Sequence, residues 1–279
     1  MRLGLSAVIT SIVGLGIILV LVLTAIFAPF VAPYDPTIGS LGDRLTPPSW
    51  QEGGNSAHIL GTDVLGRDTL SRLIYGGRTS LAVAVIAILV AGSMGSLLGI
   101  AAGYLGGWVD IIIMRVVDLA FSFPTILLAM VLAVVFEPSF LNIILVISLV
   151  LWAEYARMAR GETLKVKEMD FVALAQVAGI SKVRIMLRHI LPNVASSLIV
   201  LATLQVGIVI ILESSLSFLG VGIPPPTPDW GSMIAEGRSY VVSAWWLSVV
   251  PGVAIVVTVL SFNLLGDTLT ELLNPARQP

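Results

Sequence analysis

An all-α integral membrane fold with six transmembrane helices is predicted by three observations. Hydrophobic residues make up 57% of the chain and charged residues 11%, against about 25% charged in a soluble domain. The mean hydropathy is +1.00. Apolar runs on the bilayer scale of about 20 residues recur along the chain, separated by polar, proline-rich or basic stretches. The net charge of −2 identifies no partner, because the charge is local. With no cysteine, a disulfide framework, an iron–sulfur cluster and a thiolate zinc site are excluded. His58 and His189 lie far apart in unlike contexts, which argues against a metal site. No cofactor is expected.

The first span is Val8 to Phe27, preceded only by Arg2. It is longer than the apolar region of a signal peptide, about 7–15 residues, and ends at Pro29, Pro33 and Pro36, so a retained transmembrane helix is expected. Residues 31–75 are polar, with turn-forming APYDP and TPPSW. In the following HILGTDVLGRDTLSRLIYGGRTSL, Leu65, Leu70, Leu73 and Ile74 sit at roughly helical spacing among Arg67, Asp68, Arg72 and Arg78. That pattern fits an amphipathic helix on the membrane surface or a simple bend leading into the next span. The second span, Ser80 to Ala102, carries Ala91, Gly95, Gly99 and Gly103 at four-residue intervals. Such a small-residue face lets another helix approach closely, as an intramolecular seam or as a gate or subunit contact.

The third span is read as Ile111 to Phe136, with Arg115 and Asp118 three apart on one face and placed to pair. Glu137 and Pro138 mark a tight turn. The fourth span starts at Leu141, and its helix is expected to continue beyond Ala153 past Glu154 and Arg157. The fifth runs from about Ala195 to Leu219 and holds Glu213 as an isolated intramembrane carboxylate. Such acids face the bundle interior, so Glu213 is a candidate for the pathway or a subunit interface, or for bonds from a neighbouring helix. Four prolines in 220–243 exclude regular structure from its first half, and Trp230, Trp245 and Trp246 are expected as interfacial anchors. The sixth span, Ala244 to Leu265, contains Pro251 and Gly252. These boundaries divide the chain into an N-terminal helix with an external segment (1–75), a five-helix membrane domain (76–267) and a tail (268–279).

The longest polar interruption of the second half is Glu162 to Pro192. From Arg157 to Arg188 there are seven basic residues: Arg157, Arg160, Lys165, Lys167, Lys182, Arg184 and Arg188. Basic loops face the cytoplasm. Counting spans from this loop puts both termini inside as well, and 31–75 and 220–243 outside. Within the loop, Asp170 is placed to cap a helix starting at Phe171. Phe171, Leu174, Ala175 and Ala178 form its apolar stripe, and Gly179 suits its left-handed C-terminal end. A second helix from Lys182 presents Val183, Met186, Leu187 and Ile190, with Pro192 ending it. Two short amphipathic helices joined at a glycine need the bilayer surface or a partner's groove.

The spacing Ala173-Leu174-Ala175-x3-Gly179 followed by Ile190-Leu191-Pro192 resembles the cytoplasmic loop signature of binding-protein-dependent ABC importer permeases. Ala173, Leu174 and His189 depart from that signature. HILGTDVLGRDTLSRLIYGGRTSL, SFPTILLA, RHILPN, ESSLSFLGVGIPPPTPDWGSMIAEG and PGVAIVVTVLSFNLLGDTL are similar to the second permeases of the dipeptide, oligopeptide and nickel importer group, over nearly the whole chain. The resemblance implies the type I ABC importer transmembrane fold in the cytoplasmic membrane of a prokaryote. It implies a heterodimer with a homologous permease, two ATPase subunits, and an extracytoplasmic solute-binding protein. It also implies that Asp170, Phe171, Leu174, Ala175, Ala178, Gly179 and Pro192 belong to a coupling helix docked on one ATPase. The substrate it implies is a di- or oligopeptide, with a nickel chelate or another solute as alternatives. The chain has no G-x-x-x-x-G-K-[ST] motif, so ATP hydrolysis falls to partner subunits and the chain is not expected to be an enzyme. A secondary transporter would need inverted repeats and broken helices around midplane polar sites. No convincing internal repeat occurs.

Overall fold

A computed structural model describes residues 5–273, and among these the chain is helical, with two isolated β-bridges and no strand. Its α-helices are α1 Leu5–Ile26, α2 Ala28–Val31, α3 Thr69–Leu105, α4 Gly107–Phe121, α5 Thr125–Val135, α6 Phe140–Lys167, α7 Asp170–Val177, α8 Lys182–Ile185, α9 Leu191–Phe218, α10 Trp230–Gly237 and α11 Trp246–Leu273. A π-turn over Met186–Ile190 joins α8 to α9, so 182–218 is one continuous rod. By length and composition α3, α6, this rod and α11 can each cross a bilayer, and α4 with α5 makes a bent fifth candidate.

α3 begins where Asp68 accepts hydrogen bonds from the backbone N (2.8 Å) and Oγ (2.7 Å) of Ser71. That is an N-cap satisfying a donor left open by the first turn. From Thr69 the helix runs unbroken to Leu105. The bend leading into the second span is therefore what forms, and no separate surface helix precedes it.

The small residues of α3 form an intramolecular seam with α6. A Cβ on Gly95 would stand 2.8 Å from Tyr155 Cβ, on Gly99 2.9 Å from Ala156 Cα, and on Gly103 2.9 Å from Thr163 Cβ. Only hydrogen fits at such separations. Gly99→Val is expected to cost at least the ~1–3 kcal/mol of an overpacked site. Thermal unfolding of the detergent-solubilised protein checks this: Gly99→Val should lower the midpoint markedly, while Gly16→Ala, with open space around it, should not.

These contacts also fix direction. Successive α3 residues meet successive α6 residues in the same order, so the two helices run parallel, and α4 with α5 must return the chain between the two ends. They do so with a 93° bend at Ser122–Pro124, which corrects the single helix expected over 111–136. Pro124 has no N–H to donate and disfavours helical backbone at Phe123. Its own ψ of 128° takes the chain out of the helix. The expected Arg115–Asp118 pair does not form either. Asp118 instead meets Arg157 Nη2 at 3.2 Å, with both side chains exposed. A surface pair of this kind contributes about 0–1 kcal/mol. A firmer tie is Arg160, whose Nε and Nη2 donate to the two carboxylate oxygens of Asp110 at 2.5 and 2.6 Å, joining α4 to α6.

α9 runs antiparallel to α6. Gln205 bonds to Glu154, while Val221, just past the end of α9, lies beside Ile143 and Val146 near the start of α6. Val83, Ala84 and Ala87 of α3, Val146 and Ile147 of α6, and Val209, Ile210 and Leu216 of α9 are wholly buried where the three helices meet. α1 packs along α11, with Gly14 close against Ser261, and brings Ala25 and Leu21 to the core.

Candidate functional site

Two regions at opposite ends of the helices carry the polar and exposed features that sequence reading singled out. At one end, α6 finishes with Lys165 and Lys167 in its last turn, and the chain turns through Glu168 and Met169 into α7. Asp170 is the first residue of α7, and Met169 is its N-cap. Asp170 makes no capping hydrogen bond, so the expected cap moves by one residue. A carboxylate in the first turn still complements the positive helix end. The helix ends as the glycine spacing predicts. Gly179 has φ +74°. Its N–H reaches Gln176 O at 3.0 Å, and the N–H of Ile180 reaches Ala175 O at 3.1 Å. This paired closure is a Schellman motif.

The inward face of α7 is narrower than the expected stripe. Val172 and Ala175 are buried, and Phe171 is half-buried with its ring 6.4 Å from that of His189. Leu174 is 69% exposed and Val177 89%, and Ala178 and Gly179 are also exposed. On the second helix Ile185 and Ile190 are buried and Met186 half-buried, whereas Val183 (60%) and Leu187 (47%) point outward. The expected face of Val183, Met186, Leu187 and Ile190 is thus split, because the wider π-turn rotates it. In that turn the N–H of Leu191 bonds five residues back to Met186 O. Pro192 does not end the helix. It lies in the first turn of α9, exposed, where a missing N–H is tolerated. Asn193 Nδ2 donates to His189 O at 2.6 Å. The result is a set of exposed apolar side chains on this loop, Leu174, Val177, Val183 and Leu187, alternating in sequence with exposed Lys182, Arg184 and Arg188, while Val172, Ala175, Ile185 and Ile190 are buried.

At the other end, residues 31–68 are irregular but tightly bonded. Arg67 Nε donates to Asp63 at 2.6 Å and its Nη2 to Glu236 at 2.9 Å. Arg72 donates to Asp63 and takes Glu236 in bidentate fashion, at 2.6 and 3.1 Å. Asp63, Arg67 and Arg72 are buried. His58 Nδ1 lies 2.9 Å from Asp68. Asp35 accepts from the hydroxyl and then the backbone N of Thr37, which holds its carboxyl below the ordinary aspartate value.

Of the three expected anchors, Trp230 and Trp246 turn inward and Trp245 stays half-exposed. Trp230 and Trp246 are buried, with Nε1–H groups donating to Leu73 O (3.0 Å) and Thr62 O (3.1 Å). They pin α10 and the start of α11 onto residues 62–73; Trp245 lies edge-on to Trp246. Glu213 is fully buried within the chain, accepting from Ser80 Oγ on α3 and Ser217 Oγ on α9, each at 3.0 Å. The bond from Ser80 is one that the sequence reading expected from a neighbouring helix. Sequence reading missed Glu236 as the partner of two arginines 164 and 169 positions away, and Gln205 as the partner of Glu154. Only the Asp63–Arg67 spacing gave a local signal. Among the described residues no group of three or more His, Asp or Glu side chains is placed to hold a metal ion.

Residues 95–278 match the family described as binding-protein-dependent transport system inner membrane component. Residues 10–48 match the N-terminal TM domain of oligopeptide transport permease C. The chain is 45% identical over 265 residues to the dipeptide transport system permease protein DppC of Escherichia coli (strain K12), covering 95% of this chain and 88% of the relative. It is 42% identical over 265 residues to the protein of the same name from Haemophilus influenzae, covering 95% and 90%. It is 42% identical over 258 residues to the glutathione transport system permease protein GsiD of Pectobacterium atrosepticum, covering 92% and 84%. This chain therefore belongs to the family of inner membrane components of binding-protein-dependent transport systems.

Proposed function

We propose that the chain is one permease subunit of an ATP-binding-cassette importer for di- or oligopeptides, pairing with a homologous permease to form the path across the cytoplasmic membrane. Two separate ATPase subunits drive it, and the end bearing α7 faces the cytoplasm. The observation that carries this function is the set of apolar side chains Leu174, Val177, Val183 and Leu187. These side chains are exposed, yet Val172, Ala175 and Ile185 beside them are buried in the chain's core. A short helix exposed on one face and anchored on the other is suited to transmit displacement from a partner's groove into α6 and α9. The peptide substrate is supported by the names of the relatives, which specify dipeptides and glutathione, itself a peptide. ATP-dependent uptake of a labelled dipeptide into vesicles carrying the reconstituted complex tests this function, and uptake indifferent to ATP would refute it.

On this topology the Asp63–Arg67–Arg72–Glu236 cap lies outside, and segments 31–75 and 220–243 form the platform for a solute-binding protein. Deleting 224–228, which leaves the Asp229 cap of α10 in place, is expected to weaken binding-protein-stimulated ATPase activity about tenfold, on the scale of losing a contact centre, with assembly intact. Unchanged stimulation by the purified binding protein would place the docking surface elsewhere.

A further inference from the structure

The residues that open α10, Asp229, Trp230 and Gly231, press it against two spanning helices. A Cβ on Gly231 would stand 2.6 Å from Ser214 Cα of α9, and one on Gly77 of α3 would stand 2.8 Å from the Trp230 ring. A Cβ on Gly76 would meet Asp229 Cα at 3.5 Å. The side chain of Asp229 is thereby sealed between the helices, and like Glu213 it is wholly buried. The two carboxyl groups interact directly.

Their hydrogen bonds leave one oxygen open. Glu213 Oε1 accepts from Ser217 Oγ and Oε2 from Ser80 Oγ, each at 3.0 Å, with Ser214 Oγ at 3.4 Å from Oε2. Asp229 Oδ1 accepts from the N–H of Ser232 at 2.8 Å. The buried Oδ2 of Asp229 has no donor. Among the described residues no cation pairs with either acid. On α3, Arg72 is held by Asp63 and Glu236, Tyr75 bonds to neither acid, and Arg78 is exposed. Asp68 is taken by His58 and Ser71, and Glu236 of α10 by Arg67 and Arg72. Glu137 ahead of α6 is exposed, and Asp267 lies near the other end of α11. Two adjoining buried carboxyl groups without a counter-charge cannot both be ionised. A proton on Glu213 supplies the donor that Asp229 Oδ2 needs.

We propose that Glu213 and Asp229 share a single proton, in a carboxyl–carboxylate hydrogen bond that latches α10 to the end of the rod 182–218 remote from α7. The bond ties the segment bearing Glu236 to the same rod whose other end turns into α8 and α7. Movement of the rod therefore reaches α10 through this bond.

Between the ordinary carboxylate range and the pH at which the pair ionises, the folded chain holds one proton more than the unfolded chain. Rising pH then lowers the folding equilibrium constant by about tenfold per unit through this pair. The test is reversible denaturation of the detergent-solubilised full chain at about pH 6 and about pH 7, with infrared spectra at both. Glu213→Gln keeps a donor for Asp229 without a proton to lose. Asp229→Asn caps α10 equally well and its amide donates to an ionised Glu213. Relative to either variant, wild type should lose about tenfold in folding equilibrium constant over that unit of pH. Its spectrum should show the C=O stretch of a protonated carboxylic acid at about pH 7, and Glu213→Gln should remove it. Equal pH dependence in wild type and both variants overturns the latch, as does a wild-type spectrum without that band. If Glu213→Gln does not fold, the comparison with Asp229→Asn decides. Neither readout requires transport, so the latch and the import function stand or fall separately.

Discussion

Replacing Leu174 and Val177 together by glutamate is expected to abolish coupling between the chain and its ATPases while leaving the membrane domain folded. Both side chains are more than two-thirds exposed and support nothing in the chain's own core. A polar residue there is well solvated in the free protein, so the cost to folding is within the roughly 0.5 kcal/mol of an ordinary surface change. In a complex the same positions would place two carboxylates in an apolar groove, and an uncompensated buried charge is strongly disfavoured. The effect should therefore divide cleanly. Thermal unfolding of the isolated chain is unchanged, whereas co-purification of the ATPases falls by a hundredfold or more, about 3 kcal/mol. Gly179→Trp is a second probe of the same surface. A Cβ at Gly179 meets nothing within 4 Å, so space is no obstacle. Its φ of +74° adds about 1–2 kcal/mol of local strain. Insertion should survive and coupling should not.

The second large effect is expected at the opposite end. Arg72→Ala removes the cation that meets both Asp63 and Glu236, and it leaves the buried Asp63 with Arg67 alone. Taking one member from a buried ion-pair network costs about 3–5 kcal/mol, because the remaining charge is stranded. Against a total of roughly 5–15 kcal/mol, this should lower the unfolding midpoint by about 10 °C. Adding Glu236→Gln should recover part of the loss, since one of the stranded acids is then neutral. A double variant as unstable as the sum of the single changes would show that Arg72 and Glu236 act independently. If both pin α10 to residues 62–73, the binding-protein platform should loosen with them, and proteolysis within 31–75 should accelerate in Arg72→Ala.

The parts of the structure that were legible in the sequence are those set by local pattern. Apolar runs located α3, α6, α9 and α11. The Ala91-Gly95-Gly99-Gly103 spacing located the seam, and Gly179 the end of α7. What was not legible depends on contacts distant in sequence or on backbone register. The break at Ser122–Pro124 lies inside an apolar run whose hydropathy hides it. Trp230 and Trp246 look like anchors until the carbonyls of Leu73 and Thr62 are brought to them. A single extra residue in the turn over Met186–Ile190 redirects Val183 and Leu187 outward and lets Pro192 sit inside a continuing helix. The division of the α7 and α8 stripes into buried and exposed parts was hidden for this reason. Periodicity marks an apolar stripe, but only the fold decides which part of it the chain keeps for itself and which it leaves for a partner.

The most direct test of the central claim is uptake of a labelled dipeptide by vesicles holding the reconstituted complex, with binding protein outside and ATP inside. Wild type should accumulate the peptide above its external concentration only when ATP is present. The Leu174→Glu, Val177→Glu variant should accumulate none. Accumulation without ATP, or equal accumulation by the variant, would contradict the account.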